Sequence, residues 1–160
     1  MFLQLPKRKP NRLKDYDYSQ NGAYFITICV KDRKELLGKV VEGDGHSEPY
    51  VLLSEYGRVA DKYIRRIKGI DQYVVMPNHI HMIILIDNQE NGPMWASAPT
   101  PSIPQLIKSL KTLISKEIGR SIFQRSYYDH VIRNEKEYEQ VCQYIETNPL
   151  RWTEDEYYTV

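Results

Sequence analysis

The chain has 160 residues, 41% hydrophobic and 27% charged, with 22 Lys+Arg against 21 Asp+Glu. That length fits one domain able to bury roughly 70% of its unfolded surface. Two cysteines, Cys29 and Cys142, exclude a disulfide scaffold and read as reduced core thiols. No apolar run reaches the roughly 20 residues of a membrane helix, and MFLQLPKRKP lacks the apolar stretch and cleavage site of a signal peptide. A cytoplasmic protein without a membrane partner is expected.

Residues 1–20 are polar and basic and read as an N-terminal arm, with 21–160 as a single domain. From Ala23 to Val30, Tyr24, Ile26 and Ile28 alternate with Phe25, Thr27 and Cys29, which predicts a central strand apolar on both faces. Leu36–Val41 and Tyr50–Leu53 predict short strands around a Gly43-Asp44-Gly45 turn. Ser54 then caps an amphipathic helix running to about Lys68 (Tyr56, Val59, Ala60, Tyr63, Ile64 and Ile67 inward). Gln72–Met76 and His79–Ile86 read as strands separated by Pro77-Asn78, and the Pro-rich stretch 88–101 reads as a loop carrying Trp95. Ile103–Ile118 predicts a second helix stopped by Gly119, and Glu135–Thr147 a third that ends before Pro149. Short links between paired strands favour hairpins. The expected fold is α+β, a ferredoxin-like antiparallel sheet with helices packed on one face.

Charge is segregated although the net charge is only +1. Lys7, Arg8, Lys9, Arg12 and Lys14 open the chain without an acid, and residues 103–125 carry Lys108, Lys111, Lys116, Arg120 and Arg125 against Glu117 alone. Such a distribution allows a basic face for nucleic acid on a nearly neutral protein. Chemistry concentrates at His79-Ile80-His81. Residues i and i+2 of a strand share a face, so the two imidazoles can converge on one cation while Ile80 points to the apolar side. Two histidines leave a metal site incomplete; His130, Asp129, Gln124 and Glu135 are candidates to complete it. If Tyr127 opens a helical turn, its phenol and the His130 imidazole share a face. His46 reads as a loop residue.

The motif MPNHIHMIILI resembles the His-hydrophobe-His motif of single-tyrosine HUH transposases. The stretch FQRSYYDHVIRNEKEYEQVCQYIETNPLRW resembles the tyrosine-bearing segment of the REP-associated tyrosine transposases, relatives of the smallest insertion-sequence transposases. GAYFITICVKDRKELLG and LIKSLKTLISKEIG extend the resemblance over roughly residues 5–155. One departure is Phe123, where the family usually carries Trp; another is a short connection at Gly119–Ile122.

The resemblance implies that 21–160 is an HUH transposase-like catalytic domain, an endonuclease that cleaves and joins single-stranded DNA flanked by hairpins. His79 and His81 would bind Mg²⁺ or Mn²⁺ with His130 as third ligand, and Tyr127 would attack the scissile phosphate to give a 5′-phosphotyrosine. Tyrosine suits a reversible transfer because its phenolate is both nucleophile and leaving group. Imidazole ligands favour Mn²⁺ over Mg²⁺. Lys7, Arg8, Lys9, Arg12, Lys108, Lys111 and Arg125 are the expected DNA contacts, with Tyr128 packing or stacking on a base. The protein is expected as a monomer or homodimer, associated with the nucleoid when bound to DNA. Two further readings are a non-catalytic single-strand-binding module on a ferredoxin-like sheet and a phosphodiesterase that uses water.

Overall fold

Alternating apolar side chains place the strand β1 (Gly22–Cys29) at the centre of a four-stranded sheet. It pairs antiparallel with β5 (His79–Ile86) on one side and β6 (Tyr128–Ile132) on the other, and β4 (Ile70–Val75) pairs outside β5. The computed structural model describes residues 16–18, 20–88 and 101–159. Lys7, Arg8, Lys9, Arg12 and Trp95 lie outside the described residues. The sheet order is β4-β5-β1-β6. With α1 (Glu55–Ile64) between β1 and β4 and α2 (Ile103–Ile118) between β5 and β6, the path is ferredoxin-like, as expected. A two-stranded ribbon of β2 (Gly38–Val41) and β3 (Tyr50–Leu53) is inserted between β1 and α1.

Local chemistry sets the helix ends. The Ser54 hydroxyl accepts the Gly57 N–H at 3.1 Å at the start of α1. The Ser102/Gln105 capping box, with a proline in the first turn, starts α2, and Gly119 ends it in the left-handed conformation at φ 88°. Asn134 accepts the Glu137 N–H at 2.8 Å at the start of α3 (Glu135–Thr147).

The strand period of two then divides the side chains between faces. Ile26, Ile28, Ile80, Met82 and Ile84 are buried with Ala60 and Ile64 of α1 and Ile107, Leu110 and Ile114 of α2. On the opposite face Ile83, Ile132 and Phe25 pack with Tyr138, Val141, Cys142 and Ile145 of α3. Thus α1 and α2 share one face as expected, while α3 covers part of the other.

One local expectation is corrected. Tyr127–His130 does not open a helical turn, because Tyr128–Ile132 is the strand β6. Its alternation of Tyr128, His130 and Ile132 with Asp129 and Val131 matches β1 residue for residue, from Thr27↔Tyr128 to Ala23↔Ile132. Pairing with an otherwise unpaired edge of β1 outweighs any local helical tendency.

Candidate active site

His79 and His81 leave β5 on the face away from α1 and α2, beside Cys29 and Thr27 of β1. Their rings lie 4.5 Å apart and are 0% and 2% exposed. The neighbours of His79 define its tautomer. Asn78 Nδ2 donates to the carbonyls of Tyr157 (2.7 Å) and Arg33 (3.3 Å), which turns Asn78 Oδ1 toward His79 to accept its Nδ1–H at 2.8 Å. The lone pair therefore sits on Nε2. At His81, Nδ1 lies 2.8 Å from Thr27 Oγ1, and donation to that hydroxyl gives the same tautomer. Both Nε2 atoms are buried without a hydrogen-bond partner among the described residues. Burial holds His79 down to about 4, partly offset by the Asp155 carboxylate, and keeps His81 well below its ordinary value, helped by His79. Two neutral imidazoles with orphaned lone pairs are what a cation site requires.

The third member comes from the C-terminal segment. A 3-10 turn, Trp152–Glu154, buries Trp152 with its ring 5.9 Å from that of His79. The next residue, Asp155, brings a carboxylate to the pair, and one ligand atom from each of His79, His81 and Asp155 fits within 4.8 Å of the others. Asp155 is oriented by the Tyr157 N–H on Oδ1 and Asn148 Nδ2 on Oδ2, both at 2.8 Å. Asn148 is 2% exposed, and its Oδ1 is buried without a partner. The set of two imidazoles, a carboxylate and this unpaired amide oxygen fits a divalent cation.

A cavity of about 780 Å³ opens beside His81, lined by Phe25, Tyr128, His130 and Tyr144 among others. Tyr144 stands on α3 one turn before Asn148. Its ring centroid is 5.2 Å from that of His81, and the residue is 39% exposed. Burial, then Asp155 and Glu156, push its phenol up to about 12, and Asn148 opposes them. Tyr157 stacks on His79 at 4.4 Å under the guanidinium of Arg33.

Tyr127 is placed elsewhere. It is 5% exposed within the core shared with α1 and α2, with the Lys111 ammonium 5.8 Å from its ring. The expectation that it faces the histidines is corrected, because the strand period sends Tyr127 and Tyr128 to opposite faces and the histidines lie on the side of Tyr128. His130 lines the same cavity as His81. Its Nε2 is bonded to Glu137 Oε1, and Asp155 takes the third place in the cluster instead.

Of the expected DNA contacts, Lys108 and Arg125 are exposed. Lys111 is not a solvated surface charge; its ammonium donates to the carbonyls of Gln124 (2.8 Å) and Ser126 (3.1 Å) and fastens the segment after α2. Sequence reasoning missed Asp155, Tyr144, Asn148 and Asn78. Asp155 sits in an acidic tail with no motif of its own. Tyr144 and Asn148 lie in QYIETNP, where the i, i+4 spacing on one helix face was the available signal.

No family model matches the chain. An uncharacterized protein of Haemophilus influenzae is 31% identical, over 94% of this chain and 93% of its own length. A REP-associated tyrosine transposase of Escherichia coli is 23% identical, over 84% of this chain and 70% of its own. Among solved structures, a REP-associated tyrosine transposase bound to a REP hairpin shares the fold with a TM-score of 0.58 and 21% identity, covering 88% of this chain and 73% of that one.

Proposed function

The chain belongs to the REP-associated tyrosine transposase family, and from that premise we propose that it cleaves and rejoins hairpin-flanked single-stranded DNA through a 5′-phosphotyrosine on Tyr144. The observation that carries this reading is that His81 and Tyr144 line one cavity with their rings 5.2 Å apart, while His81 also belongs to the cluster it forms with His79 and the Asp155 carboxylate. His79, His81 and Asp155 would hold Mn²⁺ or Mg²⁺, with Asn148 Oδ1 beside them. A divalent cation there supplies Lewis-acid polarisation of a phosphate oxygen and favours phenolate over phenol.

The chain's own groups do the rest. Tyr144 is carried on α3, whose Val141, Cys142 and Ile145 pack against the sheet, and this places its ring beside that of His81. The phenolic oxygen attacks phosphorus, the bond to the 3′ oxygen breaks, and that oxygen leaves as a 3′-hydroxyl after taking up a proton. The product is a phosphodiester between Tyr144 and the 5′ end. Attack by a DNA 3′-hydroxyl on that phosphotyrosine reverses the exchange and releases the phenol. Since tyrosine is a tolerable leaving group, the energy of the phosphodiester is retained for rejoining.

The test is a denaturing gel of protein, Mn²⁺ and a 3′-labelled hairpin oligonucleotide with a single-stranded flank. Wild type and Tyr127→Phe are expected to carry the label, and Tyr144→Phe to bind DNA without becoming labelled. Labelling of Tyr144→Phe with loss in Tyr127→Phe would return the nucleophile to Tyr127. A hairpin bound tightly by every variant and labelled by none would favour the non-catalytic binding module.

A further inference from the structure

A second feature lies around the end of the sheet from the histidines. The C-terminal half of α2 and the segment after it form a shallow trough of about 580 Å³, lined by Thr112, Ser115, Lys116, Arg120 and Ser121, with Lys111 and Gly119 completing it; among the described residues no acid lines it. Glu117, the only acid between residues 103 and 125, is held away by Lys62 Nζ at 2.5 Å and the Tyr63 hydroxyl at 2.6 Å, both donating to its carboxylate. Arg120 rests over the Tyr56 ring at 5.4 Å, which holds its guanidinium near the trough. Lys31, in the turn after β1, borders the trough by donating to the Ser121 carbonyl and hydroxyl at 3.3 Å each.

That lysine joins the trough to the active site. Lys31 begins a tight turn in which Asp32 and Arg33 both have left-handed backbone, at φ 56° and 53°. The turn sends the two cations opposite ways: Arg33 lines the cavity over the Tyr157 ring, and Lys31 lies against Ser121. The trough segment is also fixed to the end of β1 that pairs with His79, through Lys31 N–H to the Ile122 carbonyl at 2.9 Å and Gln124 N–H to the Cys29 carbonyl at 2.8 Å.

We propose that the trough of Lys31, Lys116, Arg120 and the Ser115 and Ser121 hydroxyls binds the phosphates of the DNA single strand that continues from the cavity around the sheet end. Ammonium, guanidinium and hydroxyl donors without a competing carboxylate match a phosphodiester backbone and read no sequence. The trough rests on the reading above only for the identity of the polyanion; it does not depend on Tyr144 chemistry.

The experiment measures hairpin binding by fluorescence anisotropy at several salt concentrations, with and without a single-stranded tail. It compares wild type, Lys116→Ala/Arg120→Ala and, as a control of equal charge change outside the trough, Lys39→Ala/Lys68→Ala. All four residues are exposed, and thermal melts check that each variant stays folded. Wild type is expected to bind the tailed hairpin more tightly. The trough variant is expected to lose that advantage and to flatten its slope of log K against log salt by about 1.4, near 0.7 for each of two phosphate contacts. The control is expected to keep both. A trough variant indistinguishable from wild type, or equal flattening in both doubles, overturns the proposal, as does a wild type that binds no DNA. Loss of the tail effect in a protein that forms no covalent adduct would leave the trough standing and remove only the phosphotyrosine reading.

Discussion

The two faces of the central sheet are made by the same strands and do opposite work. Toward α1 and α2, β1 and β5 present Ile26, Ile28, Ile80, Met82 and Ile84 as closed packing. Toward the other side they present Thr27, Cys29, His79 and His81, backed by the C-terminal segment instead of a continuous apolar layer. Ile80 stands between the two histidines and is 0% exposed, as is His79. Burial is thus equal on the two faces, but one buries groups that need no partner and the other buries nitrogens that lack one. A face that retains two orphaned imidazoles forgoes packing stability for binding capacity.

Two tyrosines on opposite sides of the sheet, Tyr144 and Tyr127, give the sharpest way to break this comparison. Tyr144→Phe is expected to bring covalent DNA linkage to background, while Tyr127→Phe, a change on the packing face, leaves it near wild type; the gel described above measures both. Next in size is a pair of alanine substitutions one residue apart. Ile80→Ala opens a cavity among buried isoleucines and should cost roughly 2–5 kcal/mol in chemical denaturation. His81→Ala removes a nitrogen buried without a partner, so metal-free stability should change by less than that while Mn²⁺ binding is lost in titration calorimetry.

A smaller effect is expected one shell out. Asn78→Ala removes the acceptor that fixes the His79 tautomer, and such supporting contacts are worth roughly 10–100-fold in metal affinity. Calorimetry with Mn²⁺ should show that loss; an unchanged affinity would break the assignment of Nε2 as the ligand atom.

The last contrast is with pH. His79 titrates near 4 in the fold and near its ordinary 6.5 when unfolded, so between those values the unfolded chain binds more protons. Metal-free stability should therefore be fully present above about pH 6.5 and fall as pH drops toward 4. In melts across that window, His79→Ala/His81→Ala should show a shallower fall than wild type.

Much of this could be read along the chain. The two-residue period of β1 and β5, the capped amphipathic helices and the His-hydrophobe-His spacing are local properties, and each element formed near where its pattern indicated. The ferredoxin-like path followed from short links and strand pairing. Local pattern misled at Tyr127–His130, where a stretch compatible with a helical turn became the fourth strand because the free edge of β1 was there to pair with.

What the sequence by itself determined is which residues alternate, where helices start and stop, and that His79 and His81 share a face; these depend on bond geometry and near neighbours. Tertiary structure alone decided which face that would be, that Tyr127 lies behind it, and that Asp155, Asn148 and Tyr144 meet the histidines in front. Those residues are separated from His79 by more than sixty positions. They come together only because α3 has an apolar stripe to bury on the open side of the sheet and Trp152 closes the turn that carries the carboxylate. No period in the chain encodes that meeting, since it is set by the packing of surfaces that exist only after the sheet has formed.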